Sequence, residues 1–154
     1  MTMNSYDPQK AARVWQRVQE NRPAPKTGRM EDIQELILQA GNTAAAYQQL
    51  ARQLPKEMQL LQRLYREKQH HRNVLRGIHE LISGEKCQAH GPQIPKEPPE
   101  RALSRLFGQS LRTLKAYEEK CNDFEYGPGF RVLADQEREH GVALLGIIGN
   151  LGMK

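Results

Sequence analysis

The hydrophobic positions of this chain recur every three to four residues over most of its length, which is the period of an amphipathic α-helix. Four long segments have this pattern, and they contain few Gly and Pro residues. Their apolar positions are rich in Leu, Ala and Ile, which also favours helix. The sequence therefore predicts an all-α fold with four long helices, covering approximately residues 30–54, 55–84, 100–121 and 128–151.

The connections between these segments predict how the helices pair. Pro55 marks a turn between the first two helices, and "NDFEYGPG" marks a turn between the last two. Short turns make consecutive helices antiparallel neighbours. The segment "GEKCQAHGPQIPKEPP" at 84–99 is longer and rich in Pro, so it predicts a crossover. Two helix hairpins joined by one long crossover is the connectivity of a ferritin-like four-helix bundle.

A shorter amphipathic helix is predicted before this bundle, over residues 7–21. Asp7 is a suitable N-cap and Pro8 a suitable first helical residue. The segment "RPAPKTGR" at 22–29 then breaks the chain. The predicted organisation is an N-terminal helix and linker over 1–29 and the bundle over 30–154. The apolar face around Trp15 must dock on this bundle or on a second copy, so a homodimer is one expectation.

Charge and composition narrow the class of partner. The formal net charge is +5, but Lys and Arg are interleaved with Asp and Glu along the chain. This distribution favours solvated helix faces over a nucleic-acid site. No apolar run is long enough to cross a membrane and no signal peptide is recognisable, so we expect a cytoplasmic protein without a membrane partner. Cys87 and Cys121 form no CxxC motif.

The chain matches itself when it is shifted by 70 residues, which predicts a duplicated hairpin. Tyr47 falls on Tyr117, and two Glu-x-x-His motifs coincide. Residues three apart share a helix face, so both motifs are expected to point into the core. His71 is expected at the helix boundary or facing solvent. The four polar groups predicted to meet in the core are Glu67, His70, Glu137 and His140.

With these two motifs, the paired tyrosines and the long crossover, residues 30–151 resemble the ferritin-like superfamily, and especially its small rubrerythrin-like members. The resemblance implies that Glu67, His70, Glu137 and His140 are metal ligands, that the metal is iron or manganese, and that oxidase- or peroxidase-type chemistry takes place there. The family also takes one Glu from the first helix of each hairpin. Ala40 and Ser110 stand in those two places here, so two expected ligands are missing.

This departure leaves several interpretations open. Two Glu and two His residues can hold a dinuclear centre with fewer ligands than the family's, or a single iron or zinc ion. They can also form a metal-free core in which Glu67 pairs with His140 and Glu137 with His70 across the bundle. In that case the protein is a structural or protein-interaction bundle. The sequence does not decide whether the protein is an enzyme, or which substrate it has.

Overall fold

A computed structural model of the chain describes residues 8–10, 13, 26–88 and 90–152, and throughout these ranges the regular structure is helical. The predicted all-α class is confirmed. A short 3₁₀ turn at Pro55–Glu57 leads into the second long helix. The long helices are α1 (Lys26–Gln53), α2 (Met58–Ser83), α3 (Pro99–Lys120) and α4 (Gly127–Gly152).

Proline and glycine set most of these helix ends. The described part of α1 begins at Lys26, four residues before the predicted start. α2 ends at Ser83 and is capped by Gly84, whose φ of 76° is left-handed and whose N–H bonds to the carbonyl of Glu80. Pro99 takes the first position of α3, where its missing N–H costs nothing. The predicted helix over 7–21 lies mostly outside the described residues, but residues 8–10 and 13 are helical.

The helices pack as two pairs, α1 with α2 and α3 with α4, and further contacts join α1 to α3 and α2 to α4. All four helices contribute to each of two apolar clusters. One cluster contains Tyr47 and Leu144, and the other contains Leu75 and Tyr117. Apart from His79, which lies beyond Ile78 and pairs with Gln34, the buried polar residues of each helix lie between the parts of that helix that enter the two clusters. They form a polar layer of Thr43, Lys68, His71, Ser110, Thr113, Glu137 and His140.

In the predicted crossover at 84–99, residues 84–88 and 90–98 are irregular and Pro99 already belongs to α3; this segment links the two hairpins. The N–H of Gln93 donates to Oδ1 of Asn42 on α1, at 2.9 Å. Glu97 forms an ion pair with Arg105 on α3, with 2.6 Å between Oε1 and Nε. These contacts fasten the connection to both hairpins. Within the described part of the chain, no helix has the length and apolarity needed to span a membrane.

The buried positions show how the two helix hairpins correspond. In α1 and α3 they match at an offset of 70, as in Tyr47 and Tyr117. In α2 and α4 they match at an offset of 69, so the ungapped 70-residue alignment is wrong there. The reason is one additional residue between the buried Tyr of the first hairpin and the inner face of α2. The matched pairs are Leu61–Phe130, Leu64–Leu133, Lys68–Glu137, His71–His140, Leu75–Leu144 and Ile78–Ile147.

Candidate metal centre

The centre of the polar layer is built by two helices that each supply two residues three positions apart. α4 supplies Glu137 and His140, and α2 supplies Lys68 and His71. Residues at this spacing share a helix face, so all four side chains point inward. None of the four is more than 2% exposed. A Glu-x-x-His motif therefore faces a Lys-x-x-His motif across the core.

The four predicted ligands have different positions in the structure. Glu137 and His140 lie in the centre. Glu67 lies at its edge, with a side chain 31% exposed, and its Oε2 accepts a 2.8 Å hydrogen bond from Nε2 of His140. This pair is one of the two ion pairs considered for a metal-free core. His70 is exposed and does not join the group.

His71 takes the inner position that was expected for His70. The expectation that His71 faces solvent or the helix boundary is wrong, because its side chain is fully buried. The inner stripe of α2 continues from Leu64 to Lys68, His71 and Leu75. An α-helix turns roughly 100° per residue, so His70 points to one side of this stripe.

Lys68 is the central residue that the sequence did not reveal. Its spacing of four from Leu64 and three from His71 puts it on the inner stripe. Lysine is almost never fully buried unless it is paired, so a solvent position was the natural expectation. The partner is Glu137, whose Oε2 lies 2.8 Å from Nζ of Lys68. The offset of 69 between these two residues is the signal that could have found the pair.

Glu137 is held as an ionised carboxylate. Its Oε1 accepts a 3.0 Å hydrogen bond from the hydroxyl of Ser110, and its Oε2 contacts Lys68. Burial alone would raise the pKa of Glu137, but the Lys68 ammonium, 2.8 Å away, lowers it to about 2. Ser110, which stands where the resemblance places a ligating Glu, thus supports the carboxylate of α4.

The two central histidines are each anchored by their outer nitrogen. Nε2 of His71 lies 2.7 Å from Oε1 of Gln136, and Nε2 of His140 bonds to Glu67. An amide oxygen and a carboxylate are acceptors, so both Nε2 atoms carry the proton. Burial lowers the pKa of His71 to about 3, with Lys68 acting in the same direction. His71 is therefore neutral at pH 7 and presents a lone pair at Nδ1.

Both inner nitrogens face the same carboxylate oxygen. Nδ1 of His140 lies 3.4 Å from Oε2 of Glu137, and Nδ1 of His71 lies 3.8 Å from it. Neither nitrogen has a hydrogen-bond partner. One ligand atom from each of these three residues lies within 4.8 Å of the others, so the group could hold a metal ion. Metal-binding histidines typically donate their other N–H to a carboxylate or carbonyl, as here.

Two buried tyrosines enclose the histidine pair. Tyr47 meets the ring of His140 edge-on at 6.4 Å, and Tyr117 meets that of His71 at 6.0 Å. Their hydroxyls have no hydrogen-bond partner, and burial raises the pKa of both. Within the described residues, all four buried side-chain nitrogen or oxygen atoms without a partner belong to these tyrosines and histidines. An unpaired buried polar atom costs about 1–3 kcal/mol of stability, so a group that pairs with these four atoms would stabilise the layer.

Comparison of the chain with protein-family models, with curated proteins and with solved structures finds no match.

The geometry suits one metal ion and not two. Among the described residues, Glu137 is the one buried carboxylate, and Lys68 provides a positive charge beside it. Two divalent ions need several carboxylates to balance their charge, and this centre does not have them.

Proposed function

We propose that this protein is a ferritin-like four-helix bundle that binds one divalent transition-metal ion in its core, through His71, Glu137 and His140. The observation that supports the proposal most is the unpaired Nδ1 of each histidine, facing one oxygen of Glu137. Two imidazole nitrogens without hydrogen-bond partners and an anion around one point favour a cation there. Glu67 and Gln136 fix the orientation of the two rings from outside.

The donor set favours particular metals. Imidazole nitrogen suits zinc and iron, whereas manganese prefers carboxylates and water. Two His and one carboxylate are the ligands of ferrous iron in many oxygenases and of zinc in several hydrolases. We therefore favour iron or zinc over manganese.

The residues of the chain have defined tasks in this proposal. His71 and His140 supply nitrogen ligands, and Glu137 supplies the negative charge. The apolar clusters on both sides of the layer keep water away from the ion. Three protein ligands leave coordination positions open, which the oxidase- or peroxidase-type chemistry implied by the resemblance requires. Turnover of oxygen and of peroxide is the test for such chemistry in iron-loaded protein.

Metal content tests the proposal directly. The protein would be produced without a histidine tag, in medium supplemented with iron, manganese and zinc, and purified without chelator. We expect about one metal ion per chain by elemental analysis. His71→Gln and His140→Gln should lose it, whereas His70→Gln, which changes the exposed neighbour, should keep it. A wild-type protein that holds no metal even after reconstitution would refute the proposal.

A second candidate function is a metal-free structural or protein-interaction bundle, which the Lys68–Glu137 pair favours. A buried ammonium and a buried carboxylate 2.8 Å apart neutralise each other without a metal. This candidate predicts a colourless protein without metal, whose melting temperature is the same with and without chelator. A melting temperature that falls by several degrees in chelator would count against it.

A further inference from the structure

Lys68 binds the carboxylate oxygen that a metal ion at this centre would need. Oε2 of Glu137 lies 2.8 Å from Nζ of Lys68, and it is also the oxygen nearest to Nδ1 of both histidines. The other oxygen, Oε1, is engaged by Ser110. Lys68 thus shares its one anionic partner with the proposed metal ligands.

We infer that Lys68 is an internal cation that competes with the metal ion for Glu137, and that metal binding displaces its ammonium group from the carboxylate. The inference rests on the proposed metal-binding function and concerns the regulation of the same site. Lys68 then has two effects: it stabilises the metal-free fold and it weakens metal binding.

The competition follows from charge and space. A divalent ion and an ammonium on one buried carboxylate repel each other, because little solvent is present to screen them. Glu137 is 1% exposed and Lys68 is 2% exposed, so water cannot take the place of either partner easily. Without either cation, Glu137 would be an unpaired buried charge, which is strongly unfavourable.

The ring of Tyr117 is a second partner for the ammonium of Lys68. Nζ of Lys68 lies 5.7 Å from the centroid of the Tyr117 ring, within the range of a cation–π contact. The lysine side chain is a flexible four-carbon stem, so its ammonium can move toward this ring while the backbone of α2 stays in place. We expect the exchange to involve a movement of the Lys68 side chain toward this ring.

A lysine-to-methionine pair of variants tests the inference. Lys68→Met removes the buried charge and keeps an unbranched side chain, whereas Lys115→Met removes an exposed charge from α3. Each chelator-stripped full-length protein would be titrated with Zn²⁺ and with Co²⁺ against a chromophoric chelator. We expect Lys68→Met to bind at least tenfold more tightly than wild type. It should also melt at a lower temperature without metal and recover when Zn²⁺ is added. Lys115→Met should match wild type in both respects.

The outcomes separate this inference from the proposed function. Equal affinities of wild type and Lys68→Met would overturn the competition and leave metal binding intact. Binding by Lys68→Met alone would support the competition and overturn metal binding by the native protein. Binding by neither would overturn both. If Lys68→Met does not fold without metal, Lys68→Gln, whose amide can still donate to Glu137, replaces it in the same titration.

Discussion

The imidazole rings of His71 and His140 stack on each other, with centroids 5.2 Å apart and planes 14° from parallel. They come from α2 and α4, the second helices of the two hairpins. Each ring is fixed outside by an acceptor at Nε2 and presents Nδ1 to Glu137. The stacked pair is therefore oriented before any ligand arrives, and such orientation strengthens metal binding.

Glu67 is expected to act through His140. Glu67→Gln weakens the acceptor at Nε2, so the proposed site should lose about 10- to 100-fold in affinity for Zn²⁺. The fold should change little, because the Glu67 side chain is partly exposed. Competition titration measures the affinity, and Glu80→Gln, an exposed change on the same helix, is the control. Equal Zn²⁺ affinities of the two variants would mean that Glu67 does not contribute to metal binding.

The Lys68–Glu137 pair should show strong coupling in the metal-free protein. Glu137→Gln leaves the buried Lys68 ammonium without its counter-charge and should lower the free energy of unfolding by about 3–5 kcal/mol. Glu139→Gln, at an exposed position of α4, should change it by less than about 0.5 kcal/mol. Urea denaturation in the presence of chelator measures both.

A double variant completes this experiment. Lys68→Met combined with Glu137→Gln removes both buried charges, so it should be more stable than the sum of the two single losses indicates. Additive losses would mean that the two residues do not depend on each other. The cycle isolates the energy of the pair, which the single variants cannot do.

Half of the candidate centre could be predicted from the sequence. Glu137 and His140 interrupt an apolar stripe of α4, and this conflict marked them as inner residues. Lys68 and His71 were missed because "YREKQHHRN" is polar throughout and gives no sign of its buried face. His70 and His71 are adjacent and chemically equal, so packing alone decides which of them enters the core.

The helices were easier to predict than the register between them. Pro55, Gly84 and Pro99 mark where helices begin or end, because each residue restricts or permits particular backbone conformations locally. The register of α2 against α4 depends on one residue in the first hairpin, which has no local signature. A shift of one residue turns a helix face by roughly 100°, enough to replace one set of inner residues by another.

Gly127 is predicted to be essential for the turn between α3 and α4. A Cβ at this position would clash with the carbonyl oxygen of Cys121 and lie 3.1 Å from its carbonyl carbon. Because the clash is with backbone, Gly127→Ala should destabilise the protein by several kcal/mol. Gly129→Ala, in the same helical turn but with open space around its Cβ, should be neutral or stabilising by up to about 1 kcal/mol. Equal melting temperatures of the two variants would contradict this account of the turn.

The metal-free protein should lose stability as the pH falls below the ordinary pKa of histidine. Burial and Lys68 lower the pKa of His71 to about 3 in the folded protein, against 6.5 for an ordinary histidine. Below pH 6.5, His71 binds a proton in the unfolded chain but not in the folded protein, so folding becomes less favourable. His71 should contribute a loss of about 1.4 kcal/mol per pH unit. Glu137, whose folded pKa is about 2, adds to the loss below its ordinary value of 4.5.

The contribution of His71 is therefore best measured between pH 6.5 and 4.5, above the range in which Glu137 contributes. His71 is surrounded there by Lys68 from its own helix, Glu137 and His140 from α4, and Tyr117 from α3. His71→Gln cannot take up the proton in either state, so its free energy of unfolding should fall less steeply in this interval than that of wild type. His70→Gln changes the exposed neighbour and should keep the wild-type slope. Urea denaturation of chelator-treated protein at several pH values measures the three slopes, and equal slopes for wild type and His71→Gln would mean that His71 is protonated equally in the folded and unfolded protein.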